Sequence, residues 1–143
     1  KAVEAGPWMI KVNRGEFQTA FFENSAQIRW QDVQTVYRDL NARGVEILII
    51  TNDREGAYLL SSDRNLIHVV TNVQGIVSSA GSGDTFLASF LLALGRNESI
   101  EKAAAYASAA AAANLLELGC GFFQANAVNE LLSATRMDQI PWS

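Results

Sequence analysis

Cysteine, histidine and proline are scarce. Among 143 residues there are one cysteine, Cys120, one histidine, His68, and two prolines. A lone thiol cannot close an internal disulfide, and one Cys with one His falls short of the ligand set of a structural zinc site. A reducing, cytoplasmic setting is the expectation. Basic charge is also scarce: 11 Lys and Arg stand against 15 Asp and Glu, for a formal net charge of −4. Polyanion-binding surfaces need clustered positive charge, so neither nucleic acid nor an anionic membrane surface is expected as a partner. No apolar run reaches the ~18 residues of a membrane span, because Ser89 interrupts the run from Phe86 to Leu94, and Ser108 and Asn114 interrupt the Ala-rich one. A signal peptide is not expected. The chain opens at Lys1 without Met, in a stretch that reads like the tail of a helix and a turn, and a piece of something longer is expected.

What is present is a globular composition. Hydrophobic residues make up 49% and charged residues 18%, enough apolar mass for one core and too much for a disordered segment. Trp8 to Val12 is a continuous apolar run after Gly6-Pro7, which suits a strand covered on both faces. Val33, Val36, Tyr37 and Leu40 fall at helical spacing between Gln31 and Arg43, with Gly44 as a stop. Val45 to Thr51 is β-branched and apolar, so helix then buried strand makes half of a parallel α/β unit. Ala57 to Leu60 and Leu66 to Val70 read as a hairpin. Thr71 to Ala80 shows no periodicity, and a helix from Thr85 to Leu94 follows, closed by Gly95. Another helix starts at Ser99, and its nine Ala between Ala103 and Ala113 permit close packing in a buried position. It ends at Gly119-Cys120-Gly121, and a final amphipathic helix is expected from Ala125 to Arg136. No linker appears, so residues 1–143 are taken without an internal boundary.

The strongest chemical signal is Gly81-Ser82-Gly83-Asp84-Thr85 at a helix start. Glycines let successive N–H groups converge, and the helix macrodipole adds about half a positive charge, so the turn suits an anion such as a transferring phosphoryl group. Asp84 in the first turn could accept a proton from an attacking hydroxyl while the turn stabilises developing phosphate charge. The same residues also suit a plain structural role, with Asp84 completing the helix dipole and the glycines turning the chain. By their chemistry alone Asn13 and Glu16 are a helix cap and a first-turn acid. His68 reads as a strand histidine, Cys120 as a small filler, and Trp8, Trp30 and Trp142 as packing residues.

The run from Val77 to Ala88, with Gly81-Ser82-Gly83-Asp84 at its centre, resembles the C-terminal signature of the ribokinase-like, phosphofructokinase B-type carbohydrate kinases. Lys11-Val12-Asn13-Arg14-Gly15-Glu16 resembles that family's Lys-Pro-Asn-x-x-Glu segment. Thr51-Asn52-Asp53-Arg54-Glu55-Gly56 is similar to its Thr-x-Gly-x-x-Gly nucleotide turn, matching at Thr51 and Gly56. Ala112-Ala113-Asn114 followed by Gly119-Cys120-Gly121 is similar to the nucleotide-flanking segment of the 1-phosphofructokinase and tagatose-6-phosphate kinase branch.

The resemblance covers essentially the whole chain but corresponds only to the C-terminal half of such a kinase. It implies an α/β fold, half of a three-layer α/β/α sandwich with a mainly parallel sheet and an antiparallel hairpin. It also implies ATP-dependent phosphorylation of a sugar or sugar-phosphate hydroxyl. Asp84 would be the catalytic base, and Gly81, Ser82 and Gly83 the anion hole. Thr51, Asp53, Gly56 and Asn114 would lie along the nucleotide, and Asn13 and Glu16 beside Mg2+. Two departures carry expectations: Val12 replaces the usual Pro and removes no ligand, whereas Asp53 replaces Gly and sets a carboxylate against the nucleotide phosphates. A nucleotide-binding or regulatory module without turnover is the alternative. With half the kinase absent, an apolar edge around Met9 to Val12 or Ile47 to Ile50 is expected to lie uncovered, making the isolated piece inactive and a homo-oligomer.

Overall fold

Gly6, at φ 62, turns the chain out of a 3-10 turn at Val3–Ala5 and releases it into β1 (Met9–Asn13). This computed structural model describes residues 3–22, 29–63 and 65–141. The first helix, α1 (Arg14–Phe21), starts directly at the end of β1, and α2 (Trp30–Ala42) leads through Gly44, at φ 96, to β2 (Ile47–Thr51). β1 and β2 are parallel, in register from Met9 opposite Ile47 to Asn13 opposite Thr51. β3 (Ala57–Ser61) and β4 (Asn65–Thr71) follow. Residues 52–56 and 62–64 are links too short for a crossover, so β2, β3 and β4 run as an antiparallel meander. The helices α3 (Ser82–Gly95), α4 (Ile100–Leu115) and α5 (Ala125–Leu132) precede β5 (Thr135–Pro141), and the sheet order is β1-β2-β3-β4-β5. The fold is mixed α/β, with both the parallel pair and the hairpin expected from the sequence.

The chain divides into two compact units, one of Lys1–Asn52, Tyr58–Ile67 and Gln139–Ser143, the other of Asp53–Ala57 and His68–Asp138. In the first, Val33, Tyr37 and Leu40 of α2 pack in one core with Phe17, Val45, Leu48, Ile50, Leu60 and Leu66. The spacing of the three α2 residues is one helical face, which is why the periodicity was legible. In the second, α4 packs against α3 and α5. Ala109, Ala110 and Ala113 cluster there with Val128 of α5. Small side chains let the helix axes approach, as the Ala-rich stretch suggests. Among the described residues no helix is long and apolar enough to cross a membrane.

Two expectations are corrected. The helix expected from Ala125 to Arg136 stops at Leu132, because Ser133 Oγ donates to the Glu130 carbonyl at 2.6 Å and Thr135 Oγ1 to that of Leu131 at 2.9 Å. Those hydroxyls satisfy terminal carbonyls, and the chain continues as β5. Nor is Ile47 to Ile50 an uncovered edge: β2 lies between β1 and β3, and these four residues are at most 5% exposed. The half-buried β1 is an edge strand, with β5 at the opposite edge. Trp142 lies outside the described residues.

Candidate active site

The residues singled out in the second unit meet at the start of α3. Gly81 is the N-cap, in the left-handed conformation at φ 74. A Cβ built there would lie 2.7 Å from Cys120 Cβ and 2.8 Å from its Sγ, so both backbone angle and close approach demand glycine. Ser82 and Gly83 belong to the helix itself, and of the two glycines only Gly81 has a positive φ. Thr85 N–H bonds the Gly81 carbonyl at 2.8 Å. The N–H groups of Gly83 and Asp84 have no acceptor among the described residues, the usual state of a helix's first turn. The Asp84 side chain is exposed and has no hydrogen-bond or ion-pair partner among the described residues. Unpaired N–H donors, the positive end of a helix and a free carboxylate thus share one turn, a pairing of anion binder and proton acceptor.

Asn114, in the last turn of α4, is completely buried, and both ends of its amide are engaged. Nδ2 donates to the Ala80 carbonyl at 2.9 Å, and Oδ1 accepts from Gly121 N–H at 2.6 Å. Cys120, Gly121 and Ala80 are therefore structural neighbours of the Gly81 turn. The sequence pattern that could have found them is Ala-Ala-Asn followed by Gly-Cys-Gly. Its geometry is one of holding two turns together.

In the first unit, Asn13, Glu16 and Thr51 lie at the carboxyl ends of the parallel strands β1 and β2, where α/β sheets commonly place their ligands. Asn13 caps α1: its Oδ1 accepts from Glu16 N–H at 2.8 Å, and Glu16 Oε2 accepts from Asn13 N–H at 2.8 Å. This is the cap and first-turn acid that the two residues suggest by chemistry alone. Thr51 Oγ1 donates to the Val12 carbonyl over a long 3.4 Å.

Asp53 and Gly56 bound a 3-10 turn, Asp53–Glu55, before β3. Asp53 has φ 41 and Gly56 φ 88. At Gly56 a Cβ would lie 2.1 Å from the Val69 carbonyl oxygen, so glycine is required by packing. Asp53 keeps, in a non-glycine residue, a backbone angle for which glycine is the default and Asp a tolerated substitute. His68 bonds the Glu55 carbonyl through Nε2 at 2.6 Å, a structural contact at the same turn.

The Gly81 turn fits a phosphate, since it offers donors with no internal acceptor. For a divalent cation, no cluster of three or more Asp, Glu, His or Cys occurs among the described residues. Magnesium, however, commonly keeps several waters and takes only one or two carboxylates together with substrate phosphate. Glu16, exposed and with one carboxylate oxygen spent on the cap, suits that mode.

Residues 1–126 match the pfkB family of carbohydrate kinases. The chain is similar to the D-tagatose-1-phosphate kinase of Bacillus licheniformis, 31% identical over 119 residues that are 80% of this chain and 37% of that one. In structure it is similar to a Staphylococcus aureus protein provisionally named a phosphofructokinase, with a TM-score of 0.82 and 23% identity over 99% of this chain and 44% of that one. It is similar also to the ribokinase of Arabidopsis thaliana solved with ribose and ATP, with a TM-score of 0.75 and 20% identity over 87% and 40%. The two structural likenesses speak for the fold. The chain spans little more than a third of the length of the curated relatives it matches. With the family pattern matched over most of its residues and a ribokinase-like fold beneath it, this chain belongs to the pfkB family of carbohydrate kinases.

Proposed function

We propose that this chain carries the phosphoryl-transfer side of an ATP-dependent kinase acting on a sugar or sugar phosphate, of the phosphofructokinase or tagatose-6-phosphate kinase type. The observation that carries this is the first turn of α3, where unpaired N–H groups of Gly83 and Asp84 stand beside the unpartnered Asp84 carboxylate. The acceptor hydroxyl gives its proton to an Asp84 oxygen as its own oxygen bonds the γ-phosphorus. The bond from that phosphorus to the bridging oxygen breaks, and ADP leaves. Charge on the transferring group falls on the donors of the Gly81 to Asp84 turn, and little covalent chemistry is asked of the protein. Thr51, Asp53 and Gly56 are assigned to the nucleotide, with Asn114 acting through the turns it holds. Asn13 and Glu16 are assigned to magnesium, which when bound neutralises phosphate charge. The names of the relatives, a tagatose-1-phosphate kinase among them, favour a ketohexose phosphate as acceptor.

The test is Asp84→Asn in the full-length polypeptide, followed by ADP release with each sugar phosphate. Turnover should fall by roughly 10²–10⁴, the range for loss of a general base, with nucleotide affinity nearly unchanged. A variant that keeps more than about a tenth of turnover removes Asp84 from the role. The carboxylate of Asp53 at the nucleotide turn favours a second function, a nucleotide-binding module without turnover. Thermal stabilisation by Mg-ATP without any sugar-dependent ADP release would establish that one instead.

A further inference from the structure

The last turn of α4 is the anchor for everything around Gly81. The Leu115 carbonyl accepts from Val77 N–H at 2.8 Å and Ser78 N–H at 3.2 Å, fixing the loop that leads into the turn. Ser78 Oγ accepts from Ala80 N–H at 3.2 Å. Next along α4, Asn114 takes the Ala80 carbonyl with Nδ2 and the Gly121 N–H with Oδ1. The orientation of this amide is set by its partners, since a carbonyl only accepts and a backbone N–H only donates. Between the two partners lies Cys120, against the space where Gly81 has no side chain.

A peptide unit is planar and trans, so its C=O and N–H point in opposite directions. By holding the Ala80 oxygen on the buried side, Asn114 sends the Gly81 N–H of the same peptide the other way. That N–H has no acceptor among the described residues. We infer that Asn114 is the positioning residue of the anion-binding turn: it fixes the Ala80-Gly81 peptide and locks the Cys120-Gly121 turn over Gly81, so that the N–H donors at the start of α3 are already aimed when a phosphate arrives. This rests on the functional assignment of that turn. Asn114 itself touches no phosphate. Its effect is preorganisation, which a buried amide bonded at both ends supplies because neither of its partners can be released without leaving a polar group unpaired.

The test uses the whole chain and three readouts. Asn114→Asp keeps the acceptor for Gly121 but faces the Ala80 oxygen with a second oxygen, and Asn114→Ala removes both bonds. Each should weaken binding of the magnesium complex of a non-hydrolysable ATP analogue by about ten- to a hundredfold, the effect of losing aimed donors to a charged ligand. Asn114→Ala should also speed amide exchange at Gly121, well below the unfolding temperature. Val128→Ala serves as the control: it opens the α4–α5 core and lowers the melting temperature, but should leave affinity and Gly121 exchange unchanged. If Asn114 variants differ from Val128→Ala only in melting temperature, the positioning role is wrong. Should they fail to fold, amide exchange in the unaltered chain decides it: Gly121 N–H, in an exposed turn, should be strongly protected, and rapid exchange overturns the clamp. An unaltered chain that does not bind the analogue, while Gly121 is protected, counts against the phosphate assignment and not against the clamp.

Discussion

At Asp53 the sequence departs from its family's glycine while the backbone does not. The residue sits at φ 41, where non-glycine residues are strained by roughly 1–2 kcal/mol. Asp53→Gly relieves that strain and gives back roughly 0.5–1 kcal/mol through the entropy of a freer unfolded chain, so folding stability should change little. Nucleotide affinity should rise, by ~1 kcal/mol at a partly solvated site, because a negative charge leaves the turn assigned to the phosphates. Calorimetric titration with Mg-ATP checks this, and unchanged or weaker binding would mean that the carboxylate points away from the nucleotide or ligates a cation. Much at this scale was legible beforehand. Gly56 and Gly81 stand where side chains would collide with Val69 and Cys120, and positions of that kind announce themselves as glycine. Asn114 could be picked out, but its work could not be read, because its partner Ala80, 34 residues away, reaches it only through the folded chain.

Among the elements, α2 shows how a pattern becomes a pH dependence. Its face of Val33, Tyr37 and Leu40 is buried, and the Tyr37 phenol donates to the Glu46 carbonyl at 2.6 Å just before β2. Burial pushes the Tyr37 phenol up from 10.0 to about 12, and the carboxylates of Asp63 and Glu46 add to the effect. The folded pKa is the higher one, so the contribution is fully present below about pH 10 and is lost as pH rises toward 12. Urea denaturation of the unaltered chain and of Tyr37→Phe at successive pH should therefore show a constant stability difference up to about pH 10 that shrinks above it. A difference that does not change across that interval would place the phenol in solvent. Helices with an apolar stripe were readable in this way, whereas β5 was not. Thr135–Pro141 has few large apolar residues, and what turns the chain there is hydroxyl bonding: Thr135 donates to Leu131, so it must accept from Thr71, 64 residues away, at 2.7 Å.

For the molecule as a whole, the strand order decides which apolar surface is exposed. β1 stands at the edge of the sheet with Ile10 and Val12 half-buried, and its outer N–H and C=O groups pair with no strand among the described residues. Such an edge is a template for pairing with a second copy. The 143-residue chain by itself should therefore run as a dimer or larger in size-exclusion chromatography and release no ADP in response to sugar. Clean monomeric behaviour with sugar phosphorylation would overturn both expectations. The sequence by itself determined the helical faces, the buried strand at Ile47–Ile50, the hairpin and the glycine turn before α3, because each is a local matter of side-chain period or allowed φ within a few residues. Only the tertiary structure decided that β1 rather than β2 is the edge, that the last residues form a strand, and that Asn114 spends its amide on two turns. The edge, the last strand and the bond from Asn114 to Ala80 depend on pairings across 34 to 64 residues that no local pattern encodes, since the hydrogen bonds that make them are satisfied only when distant segments meet.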